Sequence, residues 1–452
     1  MSRIKDMTEG RPIRLMIQFS APLLVTNVLQ LLFTVVDSAI VGRILGVNAF
    51  ASVGATASLH WFVLSFVFGM SQGFGTFFAQ RFGAKDMSGL RRAFVTAAYI
   101  ALGFGAVAGI VGLLTSESLL LLLHTPPELM HDAVIYLSFL LGGLPLTFSY
   151  NMLNMTLYSL GDSKTPLRAM VIATVLNIAL NLALIFPFGI AGVAAASLLA
   201  QSVALMYCFR TLRKTGILNG CGFRPDSASV YPLLRLALPL GFRNAVIETG
   251  SLLVQRYVNA YGTEFVAGIA AARRMYSLLM IAGGAIEASV VTFVAQNFGA
   301  KRFDRVRQGV RDGMQLAILS AAVVMAVTLP FGRGILGLLI DGDPVQVAAV
   351  LDIGAQQLTV MALFLPFLHM LFLFRAALQG IGNTFIPMLS GFVELAMKMI
   401  AVLVLTQFWG IWGVYLADPL GWPMAALLLA ISYIIAFKKL ETRVMGNLNP
   451  KQ

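Results

Sequence analysis

Cysteine is nearly absent from this chain of 452 residues, which has only Cys208 and Cys221. That excludes a disulfide framework, and neither residue has a partner at metal-ligand spacing, so both are expected to be structural. Histidine is also scarce, with four scattered residues and no HExxH. No GxSxG stands in a suitable context, so a polytopic membrane enzyme, which would need a nucleophile with its base or a metal cluster, finds little support. A GxxxxGK[ST] phosphate loop is also missing, which argues against ATP as an energy source. Charge is thin as well: Asp, Glu, Lys and Arg make up 12% of the chain, about half the share of an ordinary soluble domain.

What is there instead is apolar, 58% of the residues. Runs such as Ala101 to Leu114 and Val193 to Leu205 recur with short polar breaks, as helices packed in lipid would, and do not alternate as strands of an outer-membrane barrel must. The first run follows Arg3, Lys5, Arg11 and Arg14 but extends from about Leu15 to Leu45 without a clear cleavage site, so it is a span rather than a signal peptide. At ~20 residues per span, twelve are expected. They fall at about 14–40, 49–77, 92–114, 133–158, 167–187, 189–210, 232–260, 265–296, 309–339, 346–378, 385–408 and 411–437. The fold class is an all-α polytopic membrane protein of twelve transmembrane helices.

The net charge of +12 follows membrane topology rather than a nucleic-acid partner, because the basic residues sit at the ends of apolar runs. Arg81, Lys85, Arg91, Arg92, Lys164, Arg168, Arg210, Arg213, Lys214, Arg224, Arg235, Lys301, Arg302, Arg305, Arg307 and Arg311 all fall on one side. The other side carries far fewer, chiefly Arg43, Arg256 and Arg333, and its HTPPELMHD at His124 and DGD at Asp341 have no Lys or Arg. The basic side is cytoplasmic by this reading and holds both termini, as in a multi-pass protein of the bacterial inner membrane. The expected organisation is an N-terminal six-helix lobe (1–210), a cytoplasmic linker (211–231) and a C-terminal six-helix lobe (232–452).

The two lobes repeat one another. TFFAQRFGAK, ending at Lys85, falls on TFVAQNFGAK, ending at Lys301, and LGVNAFASVGA from Leu45 falls on YGTEFVAGIAA from Tyr261. Further on, SLGDSKT at Ser159 echoes LQGIGNT at Leu378, and GIAGVAAA at Gly189 echoes GIWGVYLA at Gly410. An even number of spans per unit leaves both copies facing the same way, related by an axis along the membrane normal, as in many secondary transporters. The FGAK stretches read as cytoplasmic turns, with Gly permitting the turn, and as structural rather than substrate-binding.

DSAIVGRILGVNAFASVGA at Asp37, the paired FGAK turns, LGDSKTP at Leu160, NIALN at Asn177, GIAGVAAAS at Gly189 and GIWGVYLADPLGW at Gly410 together resemble the multidrug and toxic compound extrusion (MATE) family, bacterial type. The likeness runs from about Pro22 to Trp422, and it rests on the order and spacing of the motifs rather than on any one of them. It implies two pseudo-symmetric six-helix bundles around a central cavity. It also implies export of organic cations and drugs against an inward flow of protons or sodium ions.

An ionised acid inside a span is expensive and needs a partner or a wet cavity, so each one is informative. Asp37 lies toward the outer end of the first span. The resemblance matches it to the family's ion-coupling acid; solvation at the interface beside Arg43 is the alternative. Asn177 and Asn181, at i and i+4, share a helix face and can ligate a cation through oxygen or donate to a carboxylate. Packing between helices is the other reading. The family places an acid at the second of these positions in some members, and here it is Asn181. By the resemblance Ser197 matches a hydroxyl position near the same cluster, whereas a lone Ser in a span is more often a helix-packing residue. A Na+ near Asp37, Asn177 and Asn181 is therefore conceivable, and no other metal or cofactor is expected.

In the C-terminal half Glu248, Glu287, Glu394 and Asp418 are candidates for a second ion site or an anionic wall for cationic drugs. Glu394 with Lys398, at i and i+4, is equally a structural pair, with Arg243, Arg256, Arg273 and Arg274 available to the other acids. His60 and His369 are expected to be hydrogen-bonded core residues. Tyr158, Gln255, Asn259 and Gln296 are expected to bond between helices.

The leading expectation is a monomeric secondary antiporter that exports organic cations by alternating access, with membrane lipid around it and no nucleic-acid partner. The alternative is a flippase for a lipid-linked oligosaccharide or other amphipath, its pyrophosphate held by arginines.

Overall fold

The computed structural model describes residues 4–220, 222, 224–338, 340 and 343–448, with side chains to 442. Cys221 and Asp341 lie outside the described residues. The described chain is helical and contains no strand. The elements are α1 (Pro12–Ile44), α2 (Val47–Gly83), α3 (Met87–Leu122), α4 (Pro127–Gly142), α5 (Leu144–Ser159), α6 (Lys164–Lys214) and α7 (Ser227–Asn259). After these come α8 (Thr263–Gly299), α9 (Phe303–Gly337), α10 (Pro344–Gly380), α11 (Phe385–Ile400), α12 (Thr406–Trp409), α13 (Ile411–Tyr415) and α14 (Gly421–Leu448). A π-helical stretch, Ala401–Leu405, joins α11 to α12.

Nine helical stretches among the described residues are long and apolar enough to cross a membrane, or ten when α4 and α5, bent by 48° at Gly143, count as one. α6 is itself two spans. Its 51 residues reverse at Gly189, where φ 56° and ψ −134° leave helical space two residues after Pro187. α7 is 33 residues long and carries Arg243, Asn244 and Glu248 in its interior. It is long enough to span, and it covers the run expected at about 232–260. With these divisions the architecture agrees with twelve spans. The last expected span is broken, since α13 ends at Tyr415 and α14 begins only at Gly421, with Pro419 between them.

Backbone dihedrals mark the repeat. Gly46 and Gly262 have φ of 89° and 92°, Lys85 and Lys301 of 58° and 57°, Gly161 and Gly382 of 76° and 87°, and Gly189 and Gly410 of 56° and 55°. The first two pairs stand 216 residues apart and the last two 221. LGDSKTP therefore matches IGNTFIP, two residues further along than the plain echo of Leu378 suggests. Asp162 Oδ1 accepts from Thr165 N at 2.9 Å, and Asn383 Oδ1 from Ile386 N at 3.3 Å, the same cap in both copies. In the FGAK turns the left-handed residue is the lysine, whereas Gly83 and Gly299 are the last helical residues. Bonds from Lys85 N to Phe82 O (2.9 Å) and Asp86 N to Arg81 O (3.0 Å) offset the strain of a side chain in that region.

The chain forms two compact units, one of Met1–Asp6 with Ala21–Gly241 and the other of Met7–Ser20 with Phe242–Gln452. In space, then, the opening of α1 belongs with the second unit and the first half of α7 with the first. Glycines explain the second placement. A Cβ on Gly73 of α2 would stand 2.4 Å from Ala237 Cα, and one on Gly69 would stand 2.3 Å from Leu240 O. Only bare backbone permits α7 to lie so close. Around this contact Leu233, Leu236 and Ala237 join a core with Phe74, Phe78 and Phe148.

The repeated FGAK stretch has a matching job in the second unit. Gln296 Oε1 accepts from Met7 N at 2.8 Å, and Asn297 Nδ2 donates to Met7 O at 3.1 Å. Arg302 Nη1 donates to Thr8 O at 2.6 Å, and Arg305 Nη2 to Gly10 O at 2.9 Å. In the first unit Arg91 Nε donates to Ile217 O at 2.6 Å and Thr96 Oγ1 accepts from Asp226 N at 2.9 Å. In both units the segment that leads into a long first helix is thus fastened by hydrogen bonds, though from non-equivalent positions.

Candidate functional site

α6 places Asn177 and Asn181 one turn apart on one face, and the reversal at Gly189 brings Ser197 back opposite them. Asn177 Nδ2 donates to Ser197 Oγ at 3.1 Å. Asn181 Nδ2 donates to Asp37 Oδ1 of α1 and lies 3.2 Å from Asn177 Oδ1. The sequence candidates Asp37, Asn177, Asn181 and Ser197 are therefore one connected cluster. It is secluded: Asp37 is 8% exposed, Asn177 1% and Asn181 0%. Among the described residues Asp37 has no ion pair, so the arrangement beside Arg43 does not occur.

One turn along the same helices, Val41, Ile185 and Val193 belong to a buried apolar cluster with Ile190, Ala194 and Tyr136. Sequence reasoning passed over Tyr136, which is one aromatic residue in an apolar span and carries no distinguishing pattern. Chemically, a carboxylate with an amide donor on one oxygen and oxygens of Asn177 and Ser197 nearby can take a proton, or share a small cation with those neutral oxygens.

Glu248, Glu287 and Glu394 belong to the second unit and do not join this cluster. Glu394 is not paired with Lys398 as the i, i+4 spacing suggested. Arg375 Nη2 lies 2.5 Å from Glu394 Oε1 and 3.1 Å from Ser390 Oγ, while Lys398 Nζ lies 2.7 Å from Asp418 Oδ1 and 3.2 Å from Ser251 Oγ. Tertiary geometry overrides the local pair because α10 delivers a buried guanidinium, 3% exposed, directly to Glu394. Arg375, in FLFRAALQG, was missed although a cation in mid-span is itself a signal. Glu287 faces the charges of Arg243 and Arg375, and Glu248 that of Lys398.

Arg243 is 4% exposed and donates through Nε and Nη2 to Asn244 Oδ1 at 3.0 and 2.9 Å. Gln255 accepts from Arg273 Nη1 at 2.6 Å and donates to Asn259 Oδ1 at 2.8 Å. His369 is a core residue, 2% exposed, but neither ring nitrogen has a hydrogen-bond partner among the described residues, contrary to the expected bonded histidine.

A family model described as MatE matches residues 22–183 and 239–404, once in each half of the repeat. The chain belongs to the MatE family. It is 32% identical over 411 residues to the "Probable multidrug resistance protein YpnP" of Bacillus subtilis, covering 89% of this chain and 87% of that one. The "FAD transporter" of Shewanella oneidensis is 24% identical, with 90% and 91% covered. The MatE fold itself is shared with a crystal structure of MATE in the bent conformation, at a TM-score of 0.88 and 20% identity, covering 97% of this chain and 98% of that one. The chain is thus a multi-pass membrane protein whose curated relatives are transporters.

Proposed function

We propose that this MatE-family chain is a secondary active antiporter of the bacterial plasma membrane, exporting organic cations in exchange for protons or sodium ions by alternating access. The observation that carries the reading is Asp37, a secluded carboxylate in α1 bonded by Asn181. An ion taken up from outside neutralises Asp37 and weakens the hold on a cationic drug, and ion release inside resets the site. Coupling follows when ion and drug compete for one site or prefer different states. The names of the Bacillus relatives as probable multidrug resistance proteins support this cargo class. Both termini are placed in the cytoplasm on the basis of the Lys and Arg distribution, and the working form is a monomer of two six-helix lobes.

The test is efflux of a fluorescent cation from vesicles under separately imposed proton and sodium gradients, comparing the native chain with Asp37→Asn. The substitution is expected to abolish gradient-driven efflux. Efflux that persists unchanged under both gradients removes the assignment. A second reading, transport of an amphipathic anion, draws on the buried guanidinium of Arg243 and on the Shewanella relative. It predicts uptake of a flavin nucleotide into the same vesicles that is lost in Arg243→Gln.

A further inference from the structure

The repeat allows the coupling cluster to be compared with its own copy. Asn177 lies twelve residues before Gly189 and Lys398 twelve before Gly410, while Ser197 and Asp418 lie eight after these glycines. The side chains at the mirrored positions meet in both units: Asn177 bonds Ser197 at 3.1 Å, and Lys398 bonds Asp418 at 2.7 Å. Asn181 corresponds to Val402, and Asp37, nine residues before Gly46, corresponds to Leu253, nine before Gly262. The first-helix acid and the amide that faces it are thus replaced by apolar residues, while the Asn177–Ser197 pair has become an ammonium and an acid, the latter in the turn between α13 and α14.

That ammonium is held as a bound cation would be. Its side chain is 5% exposed, with Asp418 Oδ1 and Ser251 Oγ as oxygen partners and Glu248 and Glu394 adding negative charge around it. Arg375 is committed to Glu394, and Arg273, which also faces Asp418, is bonded to Gln255. The widened π-helical turn at Ala401–Leu405 begins three residues after Lys398, where local irregularity often accompanies a functional site.

We propose that Lys398 is a tethered cation filling a second monovalent-cation site, built from Asp418 and Ser251, so that the C-terminal unit takes up no free ion. A chain with this arrangement exchanges its coupling ion at the Asp37 cluster alone. The ammonium supplies the positive charge at Asp418 through every cycle, and a small alkali cation can stand in for it only when the lysine is removed.

The experiment uses purified full-length protein carrying Asp37→Asn, which silences the other cluster and keeps the outcome separate from that of the efflux test. Binding of radiolabelled Na+ is measured together with thermal stability across NaCl and choline chloride series. The parent is expected to show no saturable Na+ binding. Lys398→Asn, which copies the residue at the mirrored position, should gain a saturable site, and its melting temperature should rise with NaCl but not with choline, since a ligand that binds only the folded state stabilises it. Lys398→Asn combined with Asp418→Ser reproduces the Asn177–Ser197 pair and should lose the gained site while remaining folded.

Na+ binding in the parent that disappears with Asp418→Asn overturns the proposal. So does a folded Lys398→Asn protein without Na+ binding. A Lys398→Asn protein that cannot be recovered even at high NaCl overturns it too, because a free cation would then have failed to replace the ammonium.

Discussion

Gly189→Ala isolates a backbone effect on the Asp37 cluster. Nothing lies within 4 Å of a Cβ placed at Gly189, so there is no clash, and the whole penalty comes from forcing an L-residue to φ 56° and ψ −134°. Residues held in such glycine-only space cost about 1–3 kcal/mol each. Gly103 on α3 is the control. A methyl group added there also meets nothing within 4 Å, but Gly103 sits in ordinary helix, where Gly→Ala is expected to stabilise by about 0.4–1 kcal/mol through the unfolded chain. The two substitutions should therefore differ in sign. Gly410, at φ 55° and ψ −126°, should behave as Gly189 does. Because the two glycines lie in separate compact units, their effects should add within about 0.5 kcal/mol. The assay is reversible unfolding in mixed detergent micelles, run beside vesicle efflux. Gly189 turns the chain between Asn181 and Ser197, so Gly189→Ala should also lower efflux while Gly103→Ala leaves it intact. Equal stability changes of the same sign at Gly189 and Gly103 would refute the reasoning.

Arg375→Met should destabilise by about 3–5 kcal/mol, because it strands the Glu394 carboxylate in the core, whereas Arg375→Met with Glu394→Leu should recover most of the loss; equilibrium unfolding of the single and double variants measures both. Asp86, the N-cap of α3, accepts from Gly89 N at 2.8 Å and from Arg81. The Gly89 bond above all, with the Arg81 bond and charge, holds its carboxyl below the usual aspartate range. A depressed folded-state value means that this contribution is full above the ordinary aspartate pKa of about 4 and is lost as pH falls through the lower folded value. Asp86→Ala should cost about 1 kcal/mol at neutral pH, and the gap between variant and parent should narrow in unfolding experiments as pH is taken below the ordinary aspartate range.

Much of the outcome was legible in the letters. Apolar runs of spanning length, the Lys and Arg bias, and the doubled FGAK phrase led to a repeated helical membrane protein because lipid permits few other solutions for a backbone with obligatory hydrogen bonds. Asp37, Asn177 and Asn181 stood out as polar groups in spans, and i, i+4 spacing gave the two amides a shared helix face, whereas Ser197 was reached only through the resemblance to the family. The same local rule failed at Glu394 and Lys398. Their spacing allowed a pair, but which cation meets Glu394 depends on α10, whose Arg375 is nineteen residues away in sequence and 2.5 Å away in space.

The identity of each helix was likewise written in the sequence, and its allegiance was not. Met7–Ser20 and the first half of α7 join the unit opposite to their sequence half, because the glycines of α2 and the amide and guanidinium groups of the second FGAK turn offer close packing and hydrogen bonds that the neighbouring sequence does not announce. Composition and periodicity determine which segments become helices in a membrane. Only tertiary structure decides which buried charge is answered by which partner, since that energy depends on distance across the fold and not along the chain.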